Sequence, residues 1–75
     1  MPKRTPILVA LGRSVRKHRE AKGISQEKLS ELADLDRTYI SDIERGNRNP
    51  GIKNIARLAK ALDITTAKLC EGVDA

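Results

Sequence analysis

Residues 25–46 read SQEKLSELADLDRTYISDIERG, a pattern that predicts two short helices. A helical segment up to Ala33 is followed by a break at 34–36 and by a second helical segment, in which only Ile40 and Ile43 are placed to be buried. At about 100° per residue, the opposite side carries only polar residues, namely Arg37, Thr38, Ser41, Asp42 and Arg45. A polar helix face with two arginines has the groups needed to read base edges in a DNA major groove.

The positive charge of the chain is concentrated near its beginning. The 75 residues carry a net charge of +5. Residues 1–22 hold seven lysines or arginines against Glu20 alone, whereas residues 23–75 hold eight basic and nine acidic residues. A basic arm and first helix favour a polyanionic partner, most often nucleic acid. The alternative is a solvated helix face without a partner.

Composition argues against several other classes of protein. No apolar run approaches the roughly 20 residues that a membrane span needs, and Arg13 and Arg16 interrupt the apolar run that a secretory signal would require. A single cysteine suits a reducing cytosol, so we expect a cytoplasmic, nucleoid-associated protein. Cys70 and the single histidine, His18, have no evident catalytic or metal-binding partners. We therefore expect packing roles for both, no enzyme activity, no cofactor and no metal.

The whole chain, residues 1–75, is predicted to form one all-α domain of five helices, because no period-2 stretch indicates a sheet. Residues 1–5 are expected to form a mobile basic arm. The expected helix limits and caps are Thr5 and Pro6 to about Ala21, Ser25 to Ala33, Asp36 to Gly46, about 52–62, and a short fifth helix capped by Thr65. The residues expected to face the core include Leu11 and Val15, then Leu29, Leu32 and Ala33, then Ile52, Ile55, Ala59 and Leu62.

Several motifs recur here in the order and spacing of a known family. They are Leu11-Gly12, Arg19, residues 23–29, Tyr39-Ile40-Ser41, residues 43–46, Asn49-Pro50 and residues 55–62. Over about residues 8–71 the chain resembles the helix-turn-helix family of phage Cro and phage repressor proteins, the Xre-type regulators. Residues 35–41 are also similar to the controller proteins of restriction–modification systems. The resemblance implies a five-helix domain of the phage-repressor type, with its helix-turn-helix at about 25–46.

Three positions depart from that family's pattern. His18 stands where a buried Leu or Ile is usual. Asp34 replaces a common Gly in the turn and is expected to adopt a left-handed conformation. Ser30 replaces the usual Ala, and its hydroxyl needs a partner such as the carbonyl of Gln26. None of the three lies on the predicted reading face.

The candidate base-reading residues are Arg37, Thr38, Ser41 and Asp42. An arginine can bind the O6 and N7 atoms of guanine, and a threonine methyl can pack on a thymine methyl. Asp42 could accept a hydrogen bond from a cytosine amino group. Alternatively, it pairs with Arg45 or Arg37 and only orients that side chain.

The candidate contacts with the DNA backbone are Ser25, Gln26, Tyr39, Arg45, Asn47 and Arg48. Gln26 opens helix 2, where an amide and free backbone N–H groups can meet a phosphate. The resemblance implies a backbone contact for Tyr39, whereas a lone tyrosine is usually half-buried packing. Arg48 could reach a base edge instead.

The resemblance also implies an ion pair between Arg19 and Glu44, which we expect to be partly buried, bidentate and structural. Dimerisation is expected in residues 62–75, through Ile64, Leu69 and Val73, since two recognition helices bind tighter and more specifically than one.

Together these features predict a sequence-specific transcription regulator that binds double-stranded DNA, at a palindromic operator, as a homodimer. No separate ligand-binding domain is recognised, so no small-molecule ligand is expected. The sharper hypothesis is an autoregulating controller of a restriction–modification operon. The alternatives are a phage or plasmid repressor, and an antitoxin that mainly binds a toxin protein.

Overall fold

A computed structural model describes residues 5–74, and this part of the chain is all-helical, as predicted. The helices are α1 (Pro6–Ala21), α2 (Gln26–Ala33), α3 (Arg37–Glu44), α4 (Ile52–Ala61) and α5 (Thr66–Leu69). The basic arm predicted for residues 1–5 lies outside the described residues, except for Thr5. That residue is the N-cap of α1.

Polar side chains fix where four of the helices begin. The Ser25 and Thr65 hydroxyls each accept a hydrogen bond from a backbone N–H three residues later, at 3.0 Å. Asp36 Oδ1 accepts from the Thr38 N–H at 2.7 Å, and Thr5 Oγ1 accepts from that of Leu8 at 3.4 Å. Each bond satisfies a backbone donor that has no partner within the helix. The predicted caps are therefore confirmed.

All five helices contribute to one aliphatic core. Its fully buried side chains are Val15, Leu29, Ile40, Ile43, Leu58 and Leu69. α1 crosses α3 closely at Gly12, where a Cβ atom would lie 2.4 Å from the Ile43 carbonyl oxygen. Only glycine allows this approach, which brings the last turn of α3 against α1.

Two residues that we expected in the core are exposed. Leu32 is 48% exposed, because Leu29 and Ala33 occupy the line of α2 that faces the core and Leu32 lies beside it. Ile52 is 68% exposed. It shares a helix face with Ile55, but it is the first residue of α4 and extends past the packed part of that helix.

The turn between α2 and α3 is set by Asp34. Its backbone has φ 56° and ψ 47°, the left-handed conformation predicted for this position. The Leu35 N–H donates to the Ser30 carbonyl at 3.0 Å and closes the end of α2. The Ser30 hydroxyl donates to the carbonyl of Glu27 at 2.7 Å, not to that of Gln26. This turn sets the direction in which α3 leaves α2.

Candidate nucleic-acid interface

The predicted reading face of α3 lies on the surface. Ile40 and Ile43 point into the core, while Arg37 and Thr38 at the start of the helix are exposed. Ser41 is half-buried on the same side. A shallow cleft of about 220 Å³ is lined by these three polar residues and by Gln26. The start of α2 and the first turns of α3 therefore form one continuous polar surface.

Behind this surface, Arg19 and Glu44 form a bidentate ion pair. Arg19 Nε donates to Glu44 Oε2 at 2.7 Å, and Nη2 donates to Oε1 at 3.0 Å. The two side chains are only 13% and 4% exposed. Arg19 Nη1 also donates to the Ile24 carbonyl at 2.9 Å. The hydrogen bond with Glu44 raises the pKa of Arg19 above its ordinary value, so the guanidinium stays charged.

Gln26 forms a hydrogen bond with the same carboxylate. Its Nε2 atom donates to Glu44 Oε1 at 3.1 Å. A primary amide has two N–H donors, so one remains after this bond is made. The ion pair thus fixes both the last turn of α3 and the side chain at the start of α2. The family resemblance predicted the ion pair. The bond from Gln26 was not predicted, because nothing in the spacing of the sequence relates Gln26 to Glu44.

Asp42 is paired with two arginines, one at the C-terminal cap of α3 and one in the loop that follows it. Arg45 Nη2 donates to Asp42 Oδ1 at 2.6 Å, and Arg48 Nη2 lies 3.9 Å from Oδ2. Asp42 is half-buried, and Arg37 is not its partner among residues 5–74. This geometry favours the interpretation in which Asp42 orients Arg45. A contact between Asp42 and a base stays a prediction.

Tyr39 lies at the edge of α3 between two other segments. The Arg48 guanidinium stands over its ring, 4.8 Å from the ring centre. Asn54, in the first turn of α4, donates from Nδ2 to the tyrosine hydroxyl at 3.0 Å. Sequence reasoning missed Asn54, since a contact across 15 positions follows no helical period. Tyr39 is half-buried, as a packing role predicts, and its contact with the DNA backbone stays a prediction.

The other predicted backbone contacts flank these groups. Ser25 is exposed and its hydroxyl oxygen caps α2, which leaves its own proton free to donate. Asn47 is half-buried, and its backbone N–H donates to the Asp42 carbonyl at 2.9 Å. The loop after α3 is therefore anchored on that helix.

The expected dimer residues do not all lie on the surface. Leu69 is 0% exposed and packs in the core of the single chain, so its assignment to the interface is wrong. An apolar spacing in a short helix does not distinguish a core position from an interface position. Ile64 and Val73 are half-buried and keep some free surface. His18 and Cys70 are half-buried as well.

Comparison with known proteins supports the interpretation of this surface as a nucleic-acid interface. The helix-turn-helix family pattern matches residues 15–69. The control protein C.BamHI of Bacillus amyloliquefaciens is 47% identical, with 87% of this chain and 91% of that protein covered. The structure of the restriction–modification controller C.AhdI from Aeromonas hydrophila superposes with a TM-score of 0.81 at 50% identity, covering 83% of this chain and 94% of that one.

A second structure is that of the controller C.Esp1396I, a tetramer in complex with its natural 35-base-pair operator. It superposes with a TM-score of 0.84 at 36% identity, covering 92% of this chain and 91% of that one. The chain belongs to the helix-turn-helix family of DNA-binding transcription regulators, which are not enzymes, and within it to the restriction–modification controller proteins. Among residues 5–74, no helix is long and apolar enough to cross a membrane.

The buried ion pair can be tested by comparing it with an exposed one. We expect Arg19→Leu to lower the free energy of unfolding by roughly 3–5 kcal/mol, because it leaves the Glu44 carboxylate buried and uncompensated. The matched control is Arg16→Leu, which breaks a pair with Glu20 whose side chains are 64% and 56% exposed. That change is expected to cost less than about 1 kcal/mol. Urea denaturation measures both, and equal losses would contradict a structural role for the Arg19 pair.

Proposed function

We propose that the protein is a homodimeric, autoregulating controller of a restriction–modification operon, working on DNA in the cytoplasm. Each subunit would place α3 in the major groove of one half-site of a palindromic operator. The observation that carries the proposal is the exposed polar start of α3, held from behind by the Arg19–Glu44 pair. The 47% identity to a control protein favours this role over that of a phage repressor or an antitoxin.

Base reading is assigned to the side chains at the start of α3. Arg37 and Thr38 are exposed, and their side chains make no hydrogen bond within residues 5–74. Arg37 is therefore free to bind a guanine through O6 and N7, and Thr38 to pack on a thymine methyl. Ser41 lines the same cleft and would reach the next base pair. Asp42 would act mainly by orienting Arg45. Its alternative role is to accept a hydrogen bond from a cytosine amino group.

Contacts with the phosphate backbone are assigned to the residues around this reading face. Gln26 combines a free amide N–H with the free backbone N–H groups of the first turn of α2, an arrangement that suits an anion. The remaining candidates are Ser25, Tyr39, Arg45, Asn47 and Arg48. Such contacts set the position of the protein on the duplex, whereas α3 specifies the sequence.

Dimerisation is assigned to apolar surface at the C-terminal region, residues 62–75. Ile64 and Val73 retain exposed area, although Leu69 does not. Val73 also lines an apolar groove of about 410 Å³, together with Ile7, Ile55 and Cys70. A second copy of the chain covering this groove would bury the exposed part of these side chains. Two reading helices would then lie about one helical turn of DNA apart, or roughly 34 Å.

The proposed interface is tested by a charge placed in it. Val73→Glu is expected to weaken the dimer at least about tenfold, because a carboxylate would be buried without a partner. Leu32→Glu is the matched control, since Leu32 is also an aliphatic side chain with free surface but lies between α2 and α4, among residues that do not line the groove at Val73. Sedimentation equilibrium gives the dimer affinity and circular dichroism checks folding. A folded Val73 variant that dimerises like the wild type would contradict the interface.

Sequence reading is tested by selecting binding sites from a pool of randomised duplexes. We expect a palindromic consensus that also occurs upstream of the protein's own coding sequence. On that site Arg37→Ala is expected to cost roughly 1–3 kcal/mol, or about 5- to 150-fold in affinity, with little loss on random DNA. Arg16→Ala, which removes an exposed cation of α1, is the control for general charge.

Fluorescence anisotropy at near-physiological salt measures these affinities. If Arg37→Ala weakens binding to both kinds of DNA equally, Arg37 is a phosphate contact and not a base reader. A selection without any consensus would contradict the proposed function itself.

A further inference from the structure

The Asn54–Tyr39 hydrogen bond connects α4 with α3. Asn54 is the third residue of α4, and Tyr39 is the third residue of α3. Asn54 Nδ2 donates to the tyrosine hydroxyl at 3.0 Å, and both side chains are half-buried. None of the roles assigned above uses Asn54. Its side chain nevertheless determines whether the Tyr39 hydroxyl presents its proton or a lone pair to another molecule.

A phenol hydroxyl has one proton and two lone pairs. One lone pair of Tyr39 receives the Asn54 N–H. Within residues 5–74 the hydroxyl donates to no protein acceptor, so its proton is available to an acceptor outside the chain. Because the amide N–H points at the hydroxyl oxygen, the proton of the hydroxyl must point away from Asn54. The hydroxyl is thereby a directed donor.

The ring that carries this hydroxyl is held in place from a second side. The Arg48 guanidinium lies 4.8 Å from the ring centre, over its face. Arg48 is itself near Asp42, at 3.9 Å. A cation over the ring and a donor at the hydroxyl together restrict how the ring can turn. The arginine also adds positive charge beside the hydroxyl, which favours an anionic acceptor.

We propose that Asn54 is a positioning residue for DNA binding, which directs the proton of the Tyr39 hydroxyl toward a phosphate oxygen of the operator backbone. This inference rests on the proposed function, in which Tyr39 contacts that backbone. Asn54 itself needs no contact with DNA. A hydrogen bond to a charged phosphate contributes more than a neutral one, so its direction matters for affinity.

The direction of the bond is tested by Asn54→Asp. A carboxylate only accepts hydrogen bonds, so it would take the Tyr39 proton and leave only lone pairs facing the phosphate. We expect the affinity for the selected operator to fall at least about tenfold. An acidic residue is favourable in the first turn of a helix, so the variant is expected to fold. Thermal unfolding of the variant verifies this.

The new negative charge would itself weaken binding, and the same substitution in a Tyr39→Phe background measures that effect alone. If Asn54 acts through the hydroxyl, Asn54→Asp should cost at least about fivefold more in the Tyr39 protein than in the Tyr39→Phe background. Asn54→Leu, which removes the donor without adding charge, should cost less than Asn54→Asp.

Equal losses in both backgrounds would overturn the proposal, because Asn54 would then act only through charge. So would an unchanged affinity of Asn54→Asp in the Tyr39 protein. Either result would leave the wild type's preference for the selected site intact, and with it the proposed function. If the wild type shows no such preference, the proposed function fails, and this inference fails with it.

Discussion

The carboxylate of Glu44 is the constraint on which the position of the reading helix depends. It receives two hydrogen bonds from Arg19 and one from Gln26. Arg19 adds a third bond of its own to the Ile24 carbonyl. α3 has only eight residues, too few for a helix that is stable alone in water. Its orientation must therefore come from packing and from this pair, which joins α1, the start of α2 and the end of α3.

A second group of contacts is formed by Tyr39 and Asp42 of α3. Asp42 binds Arg45, Arg48 stands over Tyr39, and Asn54 donates to the tyrosine hydroxyl. These bonds connect α3 with the following loop and with α4. Arg37 and Thr38 take no part in either group, so these two side chains remain free for a ligand. The helix is thus fixed along its length, while the residues assigned to base reading stay available.

Much of the local structure could be predicted from the sequence, because it depends on neighbouring residues. The capping side chains of Ser25 and Asp36 and the left-handed Asp34 are of this kind. Leu32 was misplaced because a helical period identifies a broad apolar face, whereas the core covers only part of it. Leu69 was misassigned because core and interface positions have the same apolar character. Asn54 was missed because its partner is distant in sequence.

The central claim is that this α3 surface distinguishes one DNA sequence from others. The most direct measurement is the ratio of the wild-type protein's affinities for its selected site and for a scrambled duplex of the same length and composition. At near-physiological salt the ratio should be at least about 10³, the lower end of the range for specific DNA-binding proteins. A ratio near one would mean that binding depends only on general attraction between a basic protein and DNA, and it would contradict the account.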